Sequence, residues 1–386
     1  MGRKATIYLD YQATTPLDPD VRDAMLPYLG ERFGNPHSEH FLGWQAAEAV
    51  DDARTAVADL VGAAPGEVLL TSGATEGNNL ALLGAAQRSA RRHIITTSIE
   101  HKSVLGPLEA LAKQGWEVER LPVGESGVLD AELVARALRK DTGLVSVMAA
   151  NNEIGTLQPI AEIGALCADA GALFHCDAAQ LAGKRPLDMV ASNIDLLSLS
   201  AHKLYGPKGI GALVIANNVR ERVAPVLYGG GQQEGMRPGT LAPLLCAGLA
   251  RAARLAAERM DDDEAHTFAL RQRLLEALSD RLPQFAINGD PKRSLSGCVN
   301  VRLPGADAHA LLTMLQGDLA ASQGSACNAG LFESSHVLAA LGLNHEESGA
   351  SIRLGFGRFT TAEDVENAVL LLSQKAQTAR HDLAAE

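Results

Sequence analysis

The sequence predicts an α/β protein with a large domain built on a mostly parallel sheet and a second, smaller α+β domain. Short apolar runs alternate with helical stretches through the first part of the chain, which is typical of a parallel sheet flanked by helices. The length of 386 residues is large for a single core. We expect a large domain over residues 15–260 and a small domain made of residues 1–14 and 261–386.

Each element follows from its local pattern. A short strand is predicted over residues 7–11, and helices are predicted over 19–28 and 43–61, where Ala-rich amphipathic spacing favours them. Apolar runs predict further strands, at residues 67–70, 93–97, 143–149, 172–174, 195–200 and 210–215. The second domain is predicted to contain helices at 266–282, 307–315, 335–341 and 361–380 and strands at 296–303 and 351–355, after a long helix at 242–260.

Polar clusters follow the strands of the large domain. Thr75, His101, Asn152 and Asp177 each come soon after a predicted strand, and Lys203 follows the next one. Any one of these residues is explained by a helix cap or a turn. Because parallel strands end at one edge of a sheet, where ligands of open α/β sheets bind, the five together predict a site.

Lys203 and Asp177 indicate the chemistry of that site. Burial at a strand end lowers the pKa of a lysine and makes its amine more nucleophilic. A lysine that forms a Schiff base, together with a carboxylate that keeps a pyridine nitrogen protonated, is what pyridoxal phosphate requires. The alternative for Lys203 alone is a structural lysine at a strand end.

The turn at residues 71–77, Thr-Ser-Gly-Ala-Thr-Glu-Gly, stands between a strand and a helix, where exposed backbone N–H groups bind phosphate. It lacks the lysine of a P-loop, and no Gly-x-Gly-x-x-Gly opens a helix elsewhere. These absences argue against nucleoside triphosphatases and dinucleotide-binding enzymes.

Charge and cysteine content limit the kinds of partner and site that we expect. The net charge of −12 argues against nucleic acid or an anionic membrane as the main partner. The five cysteines have no zinc-type spacing and no signal peptide precedes them, so we expect reduced thiols, a cytoplasmic location and no metal site. The acidic run at residues 261–264 is interpreted as a helix start or a domain junction.

Two residues of the small domain are candidates for a chemical role. Cys327 lies among small residues in Gly-Ser-Ala-Cys-Asn-Ala-Gly, within a loop at residues 322–334 that we expect to be mobile and accessible. Accessible thiols in polar loops ionise and attack more readily than buried ones. Arg353 lies within a predicted strand, and its guanidinium is suited either to the surface or to binding a carboxylate through two hydrogen bonds.

Taken together, the motifs resemble those of the cysteine desulfurases, a group of pyridoxal phosphate enzymes in the aminotransferase superfamily that supplies sulfur for iron–sulfur clusters. The matching motifs, in chain order, are YLDYxATTP, TSGATE, EHKS, NNEIG, HCDAAQ, SAHKLYGPKGIG, RPGT, GSAC and RLGFGRFTT. They span residues 7 to about 372. The resemblance implies fold type I, with a large sheet of seven strands.

The resemblance also implies a role for each site residue. Lys203, Cys327 and His101 are the expected catalytic residues: the cofactor-linked acid/base, the persulfide-forming nucleophile and the residue stacked on the ring. Asp177 is expected at the pyridine nitrogen, with Gln180 and Asn152 at the ring oxygen and the substrate side. The expected phosphate ligands are Ala74, Thr75, Ser200 and His202, together with Thr240 of the other subunit of a homodimer. Arg353 and Asn35 are expected to bind the substrate carboxylate.

The implied reaction converts L-cysteine to L-alanine and passes sulfur from Cys327 to an acceptor, such as an iron–sulfur scaffold protein. The alternatives are a selenocysteine lyase, another aminotransferase-like enzyme, or a cofactor-bound scaffold without turnover. The sequence departs from the family pattern after Cys327, where Asn328-Ala329-Gly330-Leu331-Phe332-Glu333 lacks a proline. The chain also stops soon after its last helix, so the identity of the acceptor is left open.

Overall fold

The computed structural model describes residues 6–323 and 335–385, with side chains as far as residue 376 in the last helix. The strands are β1 (Ile7–Tyr8), β2 (Val68–Thr71), β3 (His93–Thr97), β4 (Glu117–Leu121), β5 (Thr142–Ser146), β6 (Leu173–Asp177), β7 (Leu196–Ser200), β8 (Gly211–Ile215), β9 (Ala286–Ile287), β10 (Cys298–Arg302), β11 (Leu319–Ala320) and β12 (Ser351–Gly355). The helices are α1 (Pro19–Met25), α2 (Phe41–Val61), α3 (Ala74–Arg88), α4 (Lys102–Lys113), α5 (Ala131–Ala137), α6 (Ile160–Ala170), α7 (Pro243–Glu258), α8 (Met260–Arg281), α9 (Ala308–Met314), α10 (His336–Ala340), α11 (His345–Gly349) and α12 (Ala362–Ala385).

The large sheet has seven strands in the order β2-β8-β7-β6-β5-β3-β4. Six of them run in the same direction, and β8 is antiparallel to its neighbours β2 and β7. The sheet confirms the predicted mostly parallel architecture. Because β8 runs backwards, the connection between β7 and β8 lies at the edge where the parallel strands end, and this connection carries Lys203.

Helices cover both faces of the large sheet because successive strand residues point to opposite sides. In β8, Leu213 packs in one core with Leu80 of α3 and Leu108 of α4. Its neighbour Val214 packs in the other core with Val57 of α2. The sheet is therefore buried on both faces, which explains why its inner strands are continuous apolar runs in the sequence.

The smaller unit is built on the antiparallel sheet β12-β10-β9, with β1 and β11 paired beside it. Ile7 and Leu9, near the start of the chain, share a core with Leu274 of α8 and Leu354 of β12. This shared core supports assigning residues 1–14 to the small domain. The boundaries of the two domains stay a prediction.

Two local expectations required correction. The sequence interpretation did not include β4, an edge strand of sequence Glu-Val-Glu-Arg-Leu whose charged side chains face solvent. An edge strand of this kind lacks the apolar run by which buried strands are recognised. The helix predicted from 266 begins earlier, at Met260, so that Asp261, Asp262 and Asp263 belong to its first turn. There their negative charges interact favourably with the positive end of the helix dipole.

Within the described residues, no helix is both long enough and apolar enough to cross a membrane. The same part of the chain contains no group of three or more His, Cys, Asp or Glu side chains placed to hold a metal ion.

Candidate active site

A cavity of about 640 Å³ opens at the edge of the large sheet where the parallel strands end. Its size is within the usual range of small-molecule sites. Ten of the residues singled out in the sequence line it, from several separate elements: Ala74, Thr75, His101, Asn152, Asp177, Gln180, Ser200, His202, Lys203 and Arg353. The fold therefore brings together residues as far apart in the chain as Ala74, at the start of α3, and Arg353, in β12.

Lys203 lies in a short turn directly after β7, with its amine inside the cavity. The Nζ group donates to the main-chain oxygen of Ala13 at 2.7 Å and to that of Gln12. Burial, and then the positive charges of Lys184 and Arg353, lower the pKa of Lys203 to about 7. A large fraction of this lysine is consequently a neutral amine near neutral pH, the form that attacks a carbonyl carbon.

Asp177 is the last residue of β6 and is buried in the wall of the cavity. Its Oδ1 accepts a hydrogen bond from the main-chain N–H of Ala179 at 3.0 Å, and its Oδ2 accepts one from Asn78 Nδ2 at 2.8 Å. Asn78, in α3, was not recognised from the sequence. Two donors hold this carboxylate in place, and its oxygens suit a partner that carries a proton on a ring nitrogen.

His101 caps the N-terminus of α4, where its Nδ1 accepts from the main-chain N–H of Ser103 at 3.1 Å. Burial lowers the pKa of His101, against the opposing effect of the Asp177 carboxylate. In the neutral ring, Nδ1 is therefore the acceptor and Nε2 carries the proton. This arrangement fixes both the orientation and the tautomer of the imidazole.

The N-terminus of α3 forms the end of the cavity that is suited to an anion. Gly73 precedes it with a φ of 149°, a conformation that side chains disfavour, and a Cβ there would approach Ser200 Oγ to 3.4 Å. The N–H groups that begin the helix are consequently open to a ligand. Burial, and then the nearby Lys203, lower the pKa of His202 to about 4, so that its ring is neutral and able to donate one hydrogen bond.

Arg353 extends from β12 of the small unit into the cavity and is only 2% exposed. Its guanidinium donates to the main-chain oxygen of Asn152 at 2.8 Å and to Asp10 Oδ1 at 2.6 Å. Asp10 precedes the Tyr-x-Ala-Thr-Thr-Pro motif and was not identified as a partner of the arginine from the sequence. Its carboxylate balances the positive charge of the buried guanidinium.

Two of the predicted residues, Asn35 and Thr240, do not line this cavity. Asn35 is exposed, in a loop before α2, and its Oδ1 accepts from the N–H of His37 at 3.0 Å. Thr240 is also exposed. Its segment is held near the N-terminus of α3 by Arg237, which pairs with Glu76 at 2.7 Å. The roles of Asn35 and Thr240 stay predictions.

Two buried acids in the cavity region were also missed. Burial raises the pKa of Glu100 to about 8. Hydrogen bonds from the main-chain N–H of Met148 and the hydroxyl of Thr97 oppose this rise, and the negative charge of Asp177 adds to it. Burial likewise raises the pKa of Glu153, whose carboxylate accepts from the hydroxyl of Ser335. Next to that serine, His336 donates from Nε2 to the main-chain oxygen of Glu100 at 2.9 Å and lines the cavity. A glutamate within a run of polar residues carries no sequence signal of its burial.

Cys327, and almost all of the loop at 322–334, lies outside the described residues. The four other cysteines are free and buried. Burial raises the pKa of Cys167 and Cys246 to about 12 and that of Cys298 to about 11, and it raises the pKa of Cys176 as well. These four thiols are therefore poor nucleophiles.

The chemistry of the cavity fits pyridoxal phosphate. The N-terminus of α3 suits a phosphate, the Asp177 carboxylate suits a protonated ring nitrogen, and the Lys203 amine suits an aldehyde. All three line one cavity. When bound, the cofactor supplies an electron sink for bond breaking at a substrate carbon. Fold and site together define a pyridoxal phosphate-dependent enzyme of the aminotransferase type.

Comparison with known proteins agrees with this class. Residues 7–368 match the family described as aminotransferase class-V. The chain is 48% identical over 363 residues to a cysteine desulfurase of Mus musculus, a match that covers 93% of this chain and 79% of the mouse protein.

Two solved structures are similar over nearly their whole length. One is a NifS-like protein, with a TM-score of 0.90, 33% identity and coverage of 97% of this chain and 100% of the other. The second is SspA in complex with cysteine, with a TM-score of 0.82, 36% identity and coverage of 92% and 100%. The chain belongs to the class-V aminotransferase family and, within it, to the pyridoxal phosphate-dependent cysteine desulfurases.

Proposed function

We propose that this enzyme converts L-cysteine to L-alanine and transfers the sulfur, as a persulfide on Cys327, to an acceptor protein for iron–sulfur cluster assembly. The observation that carries the proposal is the convergence of Lys203, Asp177 and the N-terminus of α3 on one cavity. The likeness to SspA in complex with cysteine supports the substrate.

The residues divide the task among them. Lys203 would hold the cofactor through its amine, and that amine would take the proton from the substrate Cα. Asp177 would stabilise a protonated ring nitrogen, and His101 would stack on the ring. Asn152 and Gln180, which line the same cavity, would contact the ring oxygen and the substrate side, and Arg353 would bind the substrate carboxylate.

The sulfur transfer is balanced without an external oxidant. The thiolate of Cys327 attacks the substrate sulfur, an S–S bond forms and the C–S bond breaks. The electron pair of that bond passes to carbon, which takes up a proton and leaves as L-alanine. Carbon is reduced as sulfur is oxidised, so one cysteine and one enzyme thiol yield one alanine and one persulfide. The raised pKa values of four buried thiols support Cys327 as the attacking group.

The proposal includes a homodimer in which Thr240 completes the phosphate site of the partner subunit. Large apolar side chains are exposed around α1, the start of α2 and the segment before Thr240: Leu29 at 68%, Phe33 at 73%, Phe41 at 65%, Trp44 at 63% and Tyr228 at 81%. A set of exposed apolar groups in these segments is more typical of an interface than of a free surface. The proposed location is the cytoplasm, supported by the free thiols.

Product analysis tests the function. Incubation of the purified enzyme with L-cysteine and a reducing thiol should release alanine and sulfide in equal amounts. A keto acid would indicate transamination, and a strong preference for selenocysteine would indicate a lyase for that substrate. No product at all would leave a cofactor-bound scaffold, and each of these three results would refute the proposal.

A further inference from the structure

Lys184 is a second lysine beside the active site, and none of the roles described above uses it. It follows Gln180 by four residues in the turn after β6, and its Nζ donates to Gln180 Oε1 at 3.1 Å. It does not line the large cavity but a second one of about 50 Å³, which it shares with Gln12 and Lys203. A cation in this position must act on the active site through its neighbours.

The first neighbour is the Gln180 amide, which is held at both ends. Its Nε2 donates to the main-chain oxygen of Gln12 at 3.0 Å, and the same oxygen accepts from Lys203 Nζ. A lysine can only donate, so Lys184 requires the oxygen of the amide to face it. The Nε2 group then points to the Gln12 oxygen that Lys203 also contacts, and Gln180 lines the large cavity.

The second neighbour is Lys203 itself. The charged groups that act on it are Lys184 and Arg353, which disfavour its ammonium form, and Asp10 and Asp177, which favour it. Asp263 and Glu264 of α8 line the small cavity as well, but Asp263 is paired with Arg358 at 2.7 Å and Glu264 with Arg185 at 2.6 Å. In the part of the chain that the structure describes, neither of these carboxylates is therefore paired with Lys184.

We propose that Lys184 is a positioning residue for Gln180 and Lys203: its amine fixes which end of the Gln180 amide faces the cofactor, and its positive charge disfavours the ammonium form of Lys203. The proposal rests on the role given to Lys203 under the proposed function. It predicts two separable effects, one of charge and one of hydrogen bonding.

The charge effect is measured on the apoprotein by the pH dependence of Lys203 acetylation, followed by mass spectrometry. Lys184→Met should move the labelling midpoint of Lys203 upward by about one pH unit, a roughly tenfold loss of neutral amine near neutral pH. Lys184→Arg keeps the charge and should leave the midpoint close to that of the wild type. Lys113→Met, at an exposed position of α4, is the matched control and should have no effect.

The hydrogen-bonding effect is measured by titrating the apoproteins with pyridoxal phosphate. Lys184→Gln retains a donor without the charge, so it should bind the cofactor about fivefold more tightly than Lys184→Met while sharing its raised midpoint. If Lys184→Met does not fold, the difference in midpoint between Lys184→Arg and Lys184→Gln carries the same information.

The outcomes separate this proposal from the one it rests on. An unchanged midpoint in folded Lys184→Met, or equal midpoints in the arginine and glutamine variants, would overturn the charge effect. Equal cofactor affinities of the methionine and glutamine variants would overturn the orienting role. Failure of pyridoxal phosphate to protect wild-type Lys203 from acetylation would instead refute the assignment of Lys203, because the midpoints are measured without cofactor.

Discussion

Replacing Asn78 with leucine tests whether the hydrogen bond from Asn78 to Asp177 contributes to cofactor binding. Asn78 is completely buried in α3, and its Nδ2 donates to Asp177 Oδ2 and to Ser103 Oγ, each at 2.8 Å. Leucine has nearly the same shape, so Asn78→Leu removes the donor without creating a large cavity. Among the described residues, Asp177 would then keep the main-chain N–H of Ala179 as its donor.

The size of the effect follows from the kind of bond lost. A hydrogen bond to a charged group is worth about 1.5–3 kcal/mol. This bond holds the carboxylate that is proposed to pair with the protonated ring nitrogen, so its loss should weaken cofactor binding by a similar free energy. We expect the Kd for pyridoxal phosphate to rise roughly 10- to 150-fold.

The assay is a titration of the apoprotein with pyridoxal phosphate, followed by absorbance, with circular dichroism as the check on folding. Asn79→Leu provides a matched control, because Asn79 is the adjacent amide of the same helix but is only half-buried and donates to the main-chain oxygen of Thr75 instead of Asp177. It should change the Kd no more than about twofold. A folded Asn78→Leu protein with a Kd within twofold of the wild type would refute the reasoning.

Four further predictions concern the lysine, the thiol and the dimer. Lys203→Ala should lose the yellow absorbance of the lysine-bound cofactor and turnover; full turnover would refute the assignment. The pKa of Lys203 is lowered from its ordinary value of about 10.5 to about 7, so between these pH values the unfolded chain binds more protons than the folded one. The wild-type apoprotein should therefore gain thermal stability over Lys203→Met as pH rises through that window. Paired melting curves at both ends of the window check this, and parallel curves would contradict it. Cys327→Ser should bind cofactor and L-cysteine normally but release almost no alanine or sulfide, as measured by product analysis; normal release would contradict it. Phe33→Asp combined with Trp44→Asp should yield monomers in sedimentation with much reduced activity, whereas fully active monomers would exclude a shared site.

The sequence is sufficient to predict the inner strands and the edge on which the site lies. The strands β3, β5, β6 and β7 are buried throughout, so apolar runs identify them, and the parallel order brings their ends together. The edge strand β4 is different because its exposed charges resemble those of a loop or a helix surface. Burial on both faces, rather than strand propensity, is the property that made strands recognisable here.

The directly reacting groups could be found from motifs, but the residues that support them could not. Asn78 lies on the buried stripe of α3 with Ala81, Leu82 and Ala85, so a single amide on an apolar helix face was the available signal. Nothing in the sequence pairs Asp10 with Arg353, which are 343 residues apart. Such pairs depend on tertiary packing, which periodicity and composition do not encode.

The pairing of Arg353 with Asp10 changes how a substitution at this arginine is interpreted. From the sequence, Arg353→Ala removes only a contact to the substrate carboxylate. In the structure the guanidinium is already bonded to Asp10 and to the oxygen of Asn152, so a substrate carboxylate bound as proposed would share it with these partners. The net gain on binding would therefore be smaller than for an arginine exposed to solvent, since one favourable pairing would be partly exchanged for another. Arg353→Ala also leaves Asp10 without its cation, and the loss of activity would combine both effects. A double-mutant cycle with Asp10→Asn separates them, because only the term due to the substrate remains when the aspartate charge is absent.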